Sequence, residues 1–323
     1  PRQGHKPIAS GIAHMISGLA HCYRPPSLYM LARRVTHRSG TPAGPTSNPF
    51  PRWRPSLSAA ESQADRDLLV DRPDTSIAVV TINRPKRRNA MKLAMWQEMG
   101  RIFDELSREP ELRAIILTGS GGAFCAGADI SEFSEVRATV EDGRAYEAAG
   151  DLCQTAISSC SKATIAAISG PCFGGGVGLA LSCDFRFADP TAYFGIPAAR
   201  LSNVYGVVET RALYDAVGLA VAKEVLFTGR RYTAEEAREV GMATHLAKDD
   251  ALAAARQFAE GLKLCAPLTI KGAKTVLDAI ARNETAEREA AIQAVADEAM
   301  ASEDYKEGVA AFAEKRDPRF RGV

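Results

Sequence analysis

Acidic residues are absent from the first 60 positions of the chain, because no Asp or Glu precedes Glu61. The same stretch contains eight Arg or Lys residues, four of the five histidines and many Pro, Ser and Gly residues. Such a composition buries too little apolar surface to offset the entropy lost when a chain becomes ordered. We therefore predict a disordered basic tail over residues 1–66.

Two interpretations of this tail stay open. Arg-rich, acid-poor composition is typical of a mitochondrial transit peptide, which would place the protein in the mitochondrial matrix. Alternatively, since residue 1 is Pro rather than Met, the tail is sequence upstream of a misplaced start or the chain is a fragment; a bacterial protein is then expected in the cytoplasm. A nucleic-acid arm is a third interpretation, but the net charge of the chain is only +1, so no nucleic-acid partner is expected.

Long apolar runs and paired cysteines are missing as well. No run reaches the length of a membrane span, so no membrane partner is expected. The seven cysteines show neither metal-ligand spacing nor a disulfide framework, and no metal site is predicted. Cys125, Cys172 and Cys183 have apolar neighbours and are interpreted as small buried residues of a reducing compartment. A catalytic Cys125 is the alternative, but no His lies nearby in sequence to activate it.

Glycine, by contrast, is concentrated in residues 164–184, TIAAISGPCFGGGVGLALSCD. An apolar run ends at Gly-Pro, passes through three consecutive glycines and enters a helix-like pattern of small residues. Backbone N–H groups at such a strand-to-helix turn point into open space and stabilise negative charge. Glycines also let a ligand approach the backbone. The alternative interpretation is a tight packing turn without a ligand.

A second strand–turn–helix pattern lies in residues 112–130, LRAIILTGSGGAFCAGADI. Its apolar strand, residues 114–118, leads through glycines to Ala126, Gly127 and Ala128. Two such turns supply two N–H groups that can converge on one oxygen atom, which is the geometry of an oxyanion hole.

Five segments resemble the crotonase, or enoyl-CoA hydratase/isomerase, superfamily. They are the two turns above, TINRPKRRNAM (81–91), LFTGRRYTAEEAREVG (226–241) and FAEKR (312–316), in the family's order from about Leu68 to the C-terminus. The resemblance implies binding of an acyl-CoA thioester, whose oxygen accepts hydrogen bonds from the N–H groups of Ala128 and Gly175. Coenzyme A is then part of the substrate, and no separate cofactor is expected.

Short apolar strands that alternate with helical patterns predict an α/β fold. The predicted strands are residues 77–83, 114–118, 164–169 and 185–188, and apolar spacing predicts a core-packed helix over 91–106. The resemblance implies a crotonase-like spiral of strand–strand–helix turns over residues 67–265. Beyond Pro267 only helices are predicted, over 270–283, 285–301 and 304–316. For this C-terminal helical region, residues 266–323, the resemblance implies assembly of a homotrimer or a dimer of trimers.

The carboxylates that the resemblance implies for a hydratase are missing. In hydratases one glutamate follows the glycine run, where this chain has Gly178, and a second lies where it has Ala198. A third acidic position of some relatives falls near Gly206. Water addition needs a base and an acid, each worth roughly 10²- to 10⁴-fold in rate. We therefore expect poor hydration of simple enoyl-CoA thioesters.

Tyr205 and Glu209 are the remaining candidates for proton transfer. Tyr205 aligns with a tyrosine of methylmalonyl-CoA decarboxylase-like members, and Glu209 lies in a helix-start pattern. Both residues have a structural alternative: Tyr205 as an aromatic residue that packs at a loop, and Glu209 as a glutamate favoured at a helix N-terminus. The cations Lys86, Arg87 and Lys315 are alternatively solvated surface charges, and Asp129 is alternatively a helix cap. The resemblance implies substrate or CoA contacts for Lys86, Arg87, Ala126, Asp129, Ile130, Gly174, Phe312 and Lys315.

Three functions stay open from the sequence. The first is an acyl-CoA lyase or isomerase of fatty acid metabolism that stabilises an enolate in the oxyanion hole. The second is a decarboxylase of the methylmalonyl-CoA type, whose enolate forms by loss of CO₂ without a strong base. The third is a non-catalytic CoA- or RNA-associated protein, which the empty acid positions permit.

The composition of the tail generates a stability prediction. Deletion of residues 1–62 is expected to leave the melting temperature nearly unchanged, because a segment without a core makes few stabilising contacts. Calorimetry of the full and shortened chains measures this. A drop of many degrees would show that the segment is a structural element.

Overall fold

The computed structural model describes residues 66–323. The predicted tail therefore lies outside the described residues, except for Arg66. Among the described helices, none is long and apolar enough to cross a membrane.

A six-stranded sheet forms the centre of the fold. Its strands, in spatial order, are β1 (Leu68–Asp71), β2 (Ile77–Ile82), β3 (Ala114–Gly119), β4 (Ala163–Ile168), β6 (Phe185–Ala188) and β9 (His245–Leu246). Every pairing is parallel except that of β1 with β2. The parallel strands β2, β3 and β4 are almost entirely buried, which is expected when both faces of a sheet are covered.

Helices cover both faces of this sheet. Ile115 and Leu117 of β3 belong to the core shared with α1 (Leu93–Ser107), whereas Ile116 between them belongs to the core shared with α7 (Ala251–Leu262). This alternation is the two-residue period of a β-strand. The apolar stripe predicted for the first helix is confirmed, since all six of its residues are buried: Met91, Met95, Met99, Ile102, Phe103 and Leu106.

A second, three-stranded sheet explains the spiral. It contains β5 (Pro171–Phe173), β7 (Tyr193–Gly195) and β8 (Tyr232–Thr233). The chain runs from the large sheet through the small sheet into a helix twice: β4, β5 and α4 (Gly175–Ser182), then β6, β7 and α5 (Val207–Thr228). This repeat is the strand–strand–helix spiral that the resemblance implied, and the α/β fold is confirmed.

Three local predictions are corrected. Residues 164–184 contain the additional short strand β5, because Pro171 is tolerated as the first residue of a strand. The first helix begins at Leu93 rather than at 91, since Met91 instead pairs with Ala128 in an isolated bridge. The helix expected after Ala128 is a 3₁₀ turn, Ile130–Glu132, followed by the short α2 (Phe133–Val136).

The remaining helices are α3 (Val140–Ser158), α6 (Ala234–Val240), α8 (Pro267–Ala281), α9 (Glu289–Ala301) and α10 (Glu303–Glu314). No strand follows Pro267 in the described chain, as predicted. The middle C-terminal helix begins at Glu289 rather than at 285, and none of its residues is fully buried. Six large apolar side chains on the last three helices are exposed: Leu277, Ile280, Met300, Tyr305, Val309 and Phe312.

Candidate active site

The backbone around Ala128 is held by its bridge to Met91. The Met91 N–H donates to the Gly127 carbonyl at 2.8 Å, and the Asp129 N–H donates to the Met91 carbonyl at 2.8 Å. In a parallel bridge the N–H of the intervening residue points to the opposite side. The Ala128 N–H donates to no group of residues 66–323, and Ala128 is half-buried. A donor is therefore available here to a ligand.

A buried asparagine attaches this loop to the segment before it. Asn89 is 0% exposed and donates from Nδ2 to the carbonyls of Ser120, at 2.9 Å, and Ala123, at 2.6 Å. Its Oδ1 accepts the Arg84 N–H at 2.8 Å. These hydrogen bonds therefore join segment 84–91 to residues 120–123, which lead into the loop that carries Ala128.

The carboxylate of Asp129 is held by hydrogen bonds within the protein. Its carboxylate accepts hydrogen bonds from Ser131 Oγ, at 2.6 Å, and from Arg84, at 2.8 Å. These partners, Ser131 first, lower the pKa of Asp129 to about 2. The residue after Ala128 is thus a fixed anion that caps the 3₁₀ turn, which agrees with the capping alternative. Glu132 instead accepts the N–H of Leu93, the first residue of α1, at 2.6 Å.

The glycine run supplies the second set of free amides. Gly174, at φ 54° and ψ −123°, turns the chain from β5 into α4, and its N–H donates to the Gly195 carbonyl at 2.9 Å. Gly175 and Gly176 follow in the first turn of α4, and their N–H groups donate to no described group. These are the unpaired amides that begin every α-helix.

The two turns touch each other at Gly127. A Cβ atom on Gly127, whose φ is +93°, would lie 2.8 Å from the Phe173 carbonyl oxygen and 3.4 Å from the Gly175 nitrogen. Cys125 pairs with Cys172 beside this contact. Only glycine permits so close an approach at this backbone conformation. The Ala128 and Gly175 amides therefore come from backbone segments in direct contact.

Trp96 closes the other side of Gly175. A Cβ on Gly175 would lie 2.9 Å from Cη2 and 3.1 Å from Cζ2 of the indole. Trp96 is buried, and its Nε1 donates to Tyr146 Oη at 3.0 Å. The ring is held in place, so a side chain at position 175 displaces either the indole or the turn.

One face of α3 brings polar side chains to the two glycine positions. Glu147, Asp151 and Gln154 are spaced i, i+4 and i+7, and share that face. A Cβ on Gly178 would lie 2.9 Å from Gln154 Oε1, and a Cβ on Gly206 would lie 3.7 Å from Asp151 Oδ1. The space at Gly178 is therefore occupied by Gln154, and Asp151 lies beside Gly206.

Glu209 is the carboxyl group most suited to proton transfer. It lies in the first turn of α5 and accepts a hydrogen bond from Gln154 Nε2 at 3.1 Å. Burial, then the nearby charge of Glu147, raises the pKa of Glu209 to about 7. The Gln154 bond acts in the opposite direction. A group that titrates near neutral pH can both accept and donate a proton.

Tyr205 lies beside the glycine turn. Its Oη is 3.1 Å from the position of a Cβ on Gly174. Burial, then the charge of Glu209, raises the pKa of Tyr205 well above its usual range, so the phenol is a neutral hydrogen-bond donor. A cleft of about 640 Å³ lies beside this region and is lined by Arg137, Glu147, Asp151 and Val204, among others.

Comparisons with known proteins show the family of this chain. The family model described as enoyl-CoA hydratase/isomerase matches residues 72–323. The chain belongs to that family. The match and the relatives below place it in the crotonase superfamily and support an enzyme of that superfamily.

Relatives of this family member include two different enzymes. A short-chain-enoyl-CoA hydratase of Clostridium acetobutylicum is 36% identical over 245 residues, which cover 74% of this chain and 92% of the relative. A peroxisomal Δ(3,5)-Δ(2,4)-dienoyl-CoA isomerase of Arabidopsis thaliana is 32% identical over 273 residues, 80% of this chain and 98% of the relative. A crystal structure of an enoyl-CoA hydratase/isomerase family protein from Hyphomonas neptunium superposes with a TM-score of 0.76 at 34% identity, covering 81% of this chain and all of that one.

The other predicted residues of this crotonase lie at three places. Lys86 and Arg87 are exposed on a 3₁₀ turn beside the Ala128 loop, where the Ala126 N–H donates to the Arg88 carbonyl at 3.0 Å. Ile130 is exposed just after that loop. Phe312 and Lys315 lie at the end of α10, where both are exposed. Among the described residues, no hydrogen bond or ion pair joins either of these two to the Ala128 loop or to the Gly174–Gly175 turn.

The structure favours a structural role for Cys125. The thiol is fully buried, and burial raises its pKa to about 12. A thiol in this state is a poor nucleophile at neutral pH. Cys172 and Cys183 are buried as predicted.

Sequence reasoning missed the contribution of α3. Gln154 and Asp151 lie outside the motifs that carry the family resemblance, and only their position on the folded helix brings them to Gly178 and Gly206. The available indication was a row of polar residues at positions 147, 151 and 154 of a helix whose neighbouring residues are apolar. Trp96 and Asn89 were missed for the same reason, since their roles depend on contacts distant in sequence.

The raised pKa of Glu209 predicts how stability depends on pH. A carboxyl group whose pKa is higher in the folded state than in the unfolded state stabilises the fold at low pH, and loses this effect as pH rises through about 4.5 to 7. Glu209→Gln imitates the protonated form. We expect this variant to match the wild type in free energy of unfolding at pH 4 and to exceed it at pH 8. Denaturant unfolding at both values measures the difference, and an equal difference at the two pH values would contradict the assignment.

Proposed function

We propose that this crotonase binds an acyl-CoA thioester and stabilises its enolate with the N–H groups of Ala128 and Gly175. The observation that carries the proposal is the contact of Gly127 with the Gly175 turn, since a Cβ on Gly127 would lie 3.4 Å from the Gly175 nitrogen. Removal of an α-proton places negative charge on the thioester oxygen. Two preorganised donors at that oxygen lower the barrier, and the loss of one typically costs about 2.7–4 kcal/mol.

Glu209 is proposed as the group that moves the proton. Its carboxylate removes a proton from Cα of a 3-enoyl thioester, and the electron pair moves onto the carbonyl oxygen in the oxyanion hole. Return of the same proton to Cγ, as the enolate collapses, gives the conjugated 2-enoyl thioester. One carboxyl group with a pKa of about 7 is sufficient for this shift, because it is acid and base in turn.

Hydration of a double bond needs more catalytic groups than this double-bond shift. Water must be held and deprotonated while another group protonates Cα, and hydratases of this superfamily, by resemblance, use two glutamates. At the corresponding positions this chain has Gly178, whose space Gln154 occupies, and Ala198, which is buried. These observations support double-bond migration over hydration.

A decarboxylase is the second candidate, and the position of Tyr205 favours it. Its hydroxyl lies 3.1 Å from the Cβ position of Gly174, close enough to the glycine turn to donate a hydrogen bond to a substrate carboxylate. The carboxyl groups of Glu147, Asp151 and Glu209 lie on the same side, and would repel a dicarboxylic acyl group. The isomerase is therefore the preferred proposal.

Coenzyme A and a second protomer complete the proposed site. Lys86 and Arg87 form no ion pair within the described chain and lie beside the Ala128 loop, so they are proposed to contact the CoA phosphates. The exposed apolar side chains of α8 to α10 support the proposal that copies of this chain cover that surface, as a homotrimer or a dimer of trimers. Phe312 and Lys315 would then reach the site of a neighbouring copy.

The oxyanion hole is tested at Gly175 with a matched pair of variants. Gly175→Ala and Gly175→Pro both place a Cβ against Trp96, but only proline removes the N–H group. We expect turnover of an acyl-CoA substrate to be about 10²- to 10³-fold lower in the proline variant than in the alanine variant. Steady-state kinetics of both, with circular dichroism to compare their folding, measures this. Equal turnover would remove the Gly175 amide from the mechanism.

The choice of reaction is tested with three thioesters. We expect 3-enoyl-CoA to be converted to 2-enoyl-CoA, measured by its ultraviolet absorbance, and crotonyl-CoA to be hydrated at well below an ordinary enzyme rate of about ten per second. Glu209→Gln is expected to reduce isomerisation by roughly 10²- to 10⁴-fold. Hydration at an ordinary rate contradicts the argument from Gly178 and Ala198. Loss of CO₂ from a malonyl-type thioester, weakened by Tyr205→Phe, favours the second candidate.

A further inference from the structure

Gln154 connects the space at Gly178 to the carboxyl group of Glu209. Its side-chain carbon Cδ lies 3.1 Å from the position of a Cβ on Gly178, and its Nε2 donates to Glu209 Oε1 at 3.1 Å. We infer that Gln154 is a positioning residue, which fills the space left by Gly178 and holds Glu209 in the orientation and ionisation that proton transfer requires. This inference rests on the proposed role of Glu209.

The burial of Gln154 would destabilise the fold if the residue only filled space. The residue is 1% exposed, and its Oε1 has no hydrogen-bond partner among the described residues. A buried amide with an unpaired oxygen is destabilising relative to an apolar side chain of similar size. Methionine would fill the same volume without that penalty. A polar group at this position is therefore explained better by its partner than by packing.

The amide is suited to both protonation states of Glu209. When Glu209 is ionised, it accepts the hydrogen bond from Nε2. When Glu209 is protonated, a rotation of the amide by 180° presents the unpaired Oε1 to the carboxyl O–H. An asparagine or glutamine amide carries a donor and an acceptor in nearly equivalent positions. Neither state of the carboxyl group is then left without a partner during a proton shift.

Other charged groups around Glu209 set the background for this effect. Glu147 and Asp151 face it from α3 and raise its pKa, while Tyr205 lies in the preceding loop. Arg137, at the end of α2, pairs with Glu147 at 2.5 Å and so reduces the effect of that carboxylate. Among residues 66–323, Gln154 is the only side chain that forms a direct hydrogen bond with Glu209. Its loss should therefore act on Glu209 specifically.

Gln154→Met tests the inference, with Gln293→Met as its control. Methionine keeps the volume and removes the donor, so the ionised form of Glu209 loses its partner and its pKa should rise by about one unit. Gln293 donates to Asp297 on the exposed helix α9, and the same substitution there should change neither the pKa of Glu209 nor turnover. The pKa is read by ¹³C NMR titration of glutamate carboxyls, with Glu209→Gln to assign the resonance.

Isomerase turnover against pH gives the second measurement. If Gln154 holds Glu209 in its ionised form, Gln154→Met should lose about tenfold in kcat below pH 7 and recover most of it above pH 9, because the base is ionised there in both proteins. An unchanged pKa of Glu209 would overturn the inference, and turnover that is also unchanged at every pH would leave Gln154 as a space-filling residue.

A third variant keeps the test independent of folding and of the reaction. Gln154→Asn retains the amide but shortens its reach by one methylene. It should raise the pKa of Glu209 by a smaller amount than Gln154→Met, and it replaces that variant in the test if the methionine variant does not fold. The NMR titration does not depend on turnover. If Glu209→Gln leaves isomerisation unchanged, the proposed function fails, whereas a pKa unaffected by position 154 contradicts only the positioning role.

Discussion

The contact between the two glycine turns is the constraint on which the site depends. Gly127 and the Gly174–Gly175 turn approach so closely that no Cβ fits between them, and the Cys125–Cys172 bridge fixes their register. This contact exists because successive passes of the spiral lie side by side in both sheets. Fold and site are therefore not separable: the packing that forms the small sheet also places the free amides of Ala128 and Gly175 on adjoining backbone segments.

Local patterns were sufficient for the α/β class, because each pass carries its own, whereas the spiral followed from the family resemblance. The buried strand at 185–188 coincides with β6, and the predicted helix stripe of Met95, Met99 and Phe103 is buried. Where predictions missed, tertiary pairing prevailed over local pattern. Three residues at Pro171–Phe173 are too few to show the period of a strand. Met91 lies outside the helix that was predicted to include it, because it pairs with Ala128.

The site was predictable only in part, for a physical reason. Glycine-rich turns with unpaired amides are visible in one short stretch, whereas the choice of Ala128 and Gly175 within them came from the family resemblance, and their role as donors stays a prediction. The protonation state of Glu209 depends on burial and on Glu147, which is distant in sequence. Local pattern alone favoured Glu209 as a helix-start residue. Gln154 had no motif at all, and only the packing of α3 against α4 and α5 reveals its contacts.

The shared space at Gly178 limits how this protein can change. A side chain at 178 and the carboxamide of Gln154 compete for one volume, with only 2.9 Å between a Cβ at 178 and Oε1. Substitutions at the two positions are therefore coupled, and their energetic effects cannot be additive. A glutamate at 178 therefore displaces the carboxamide of Gln154 and its hydrogen bond to Glu209, so a change at 178 reaches the proposed proton-transfer group as well.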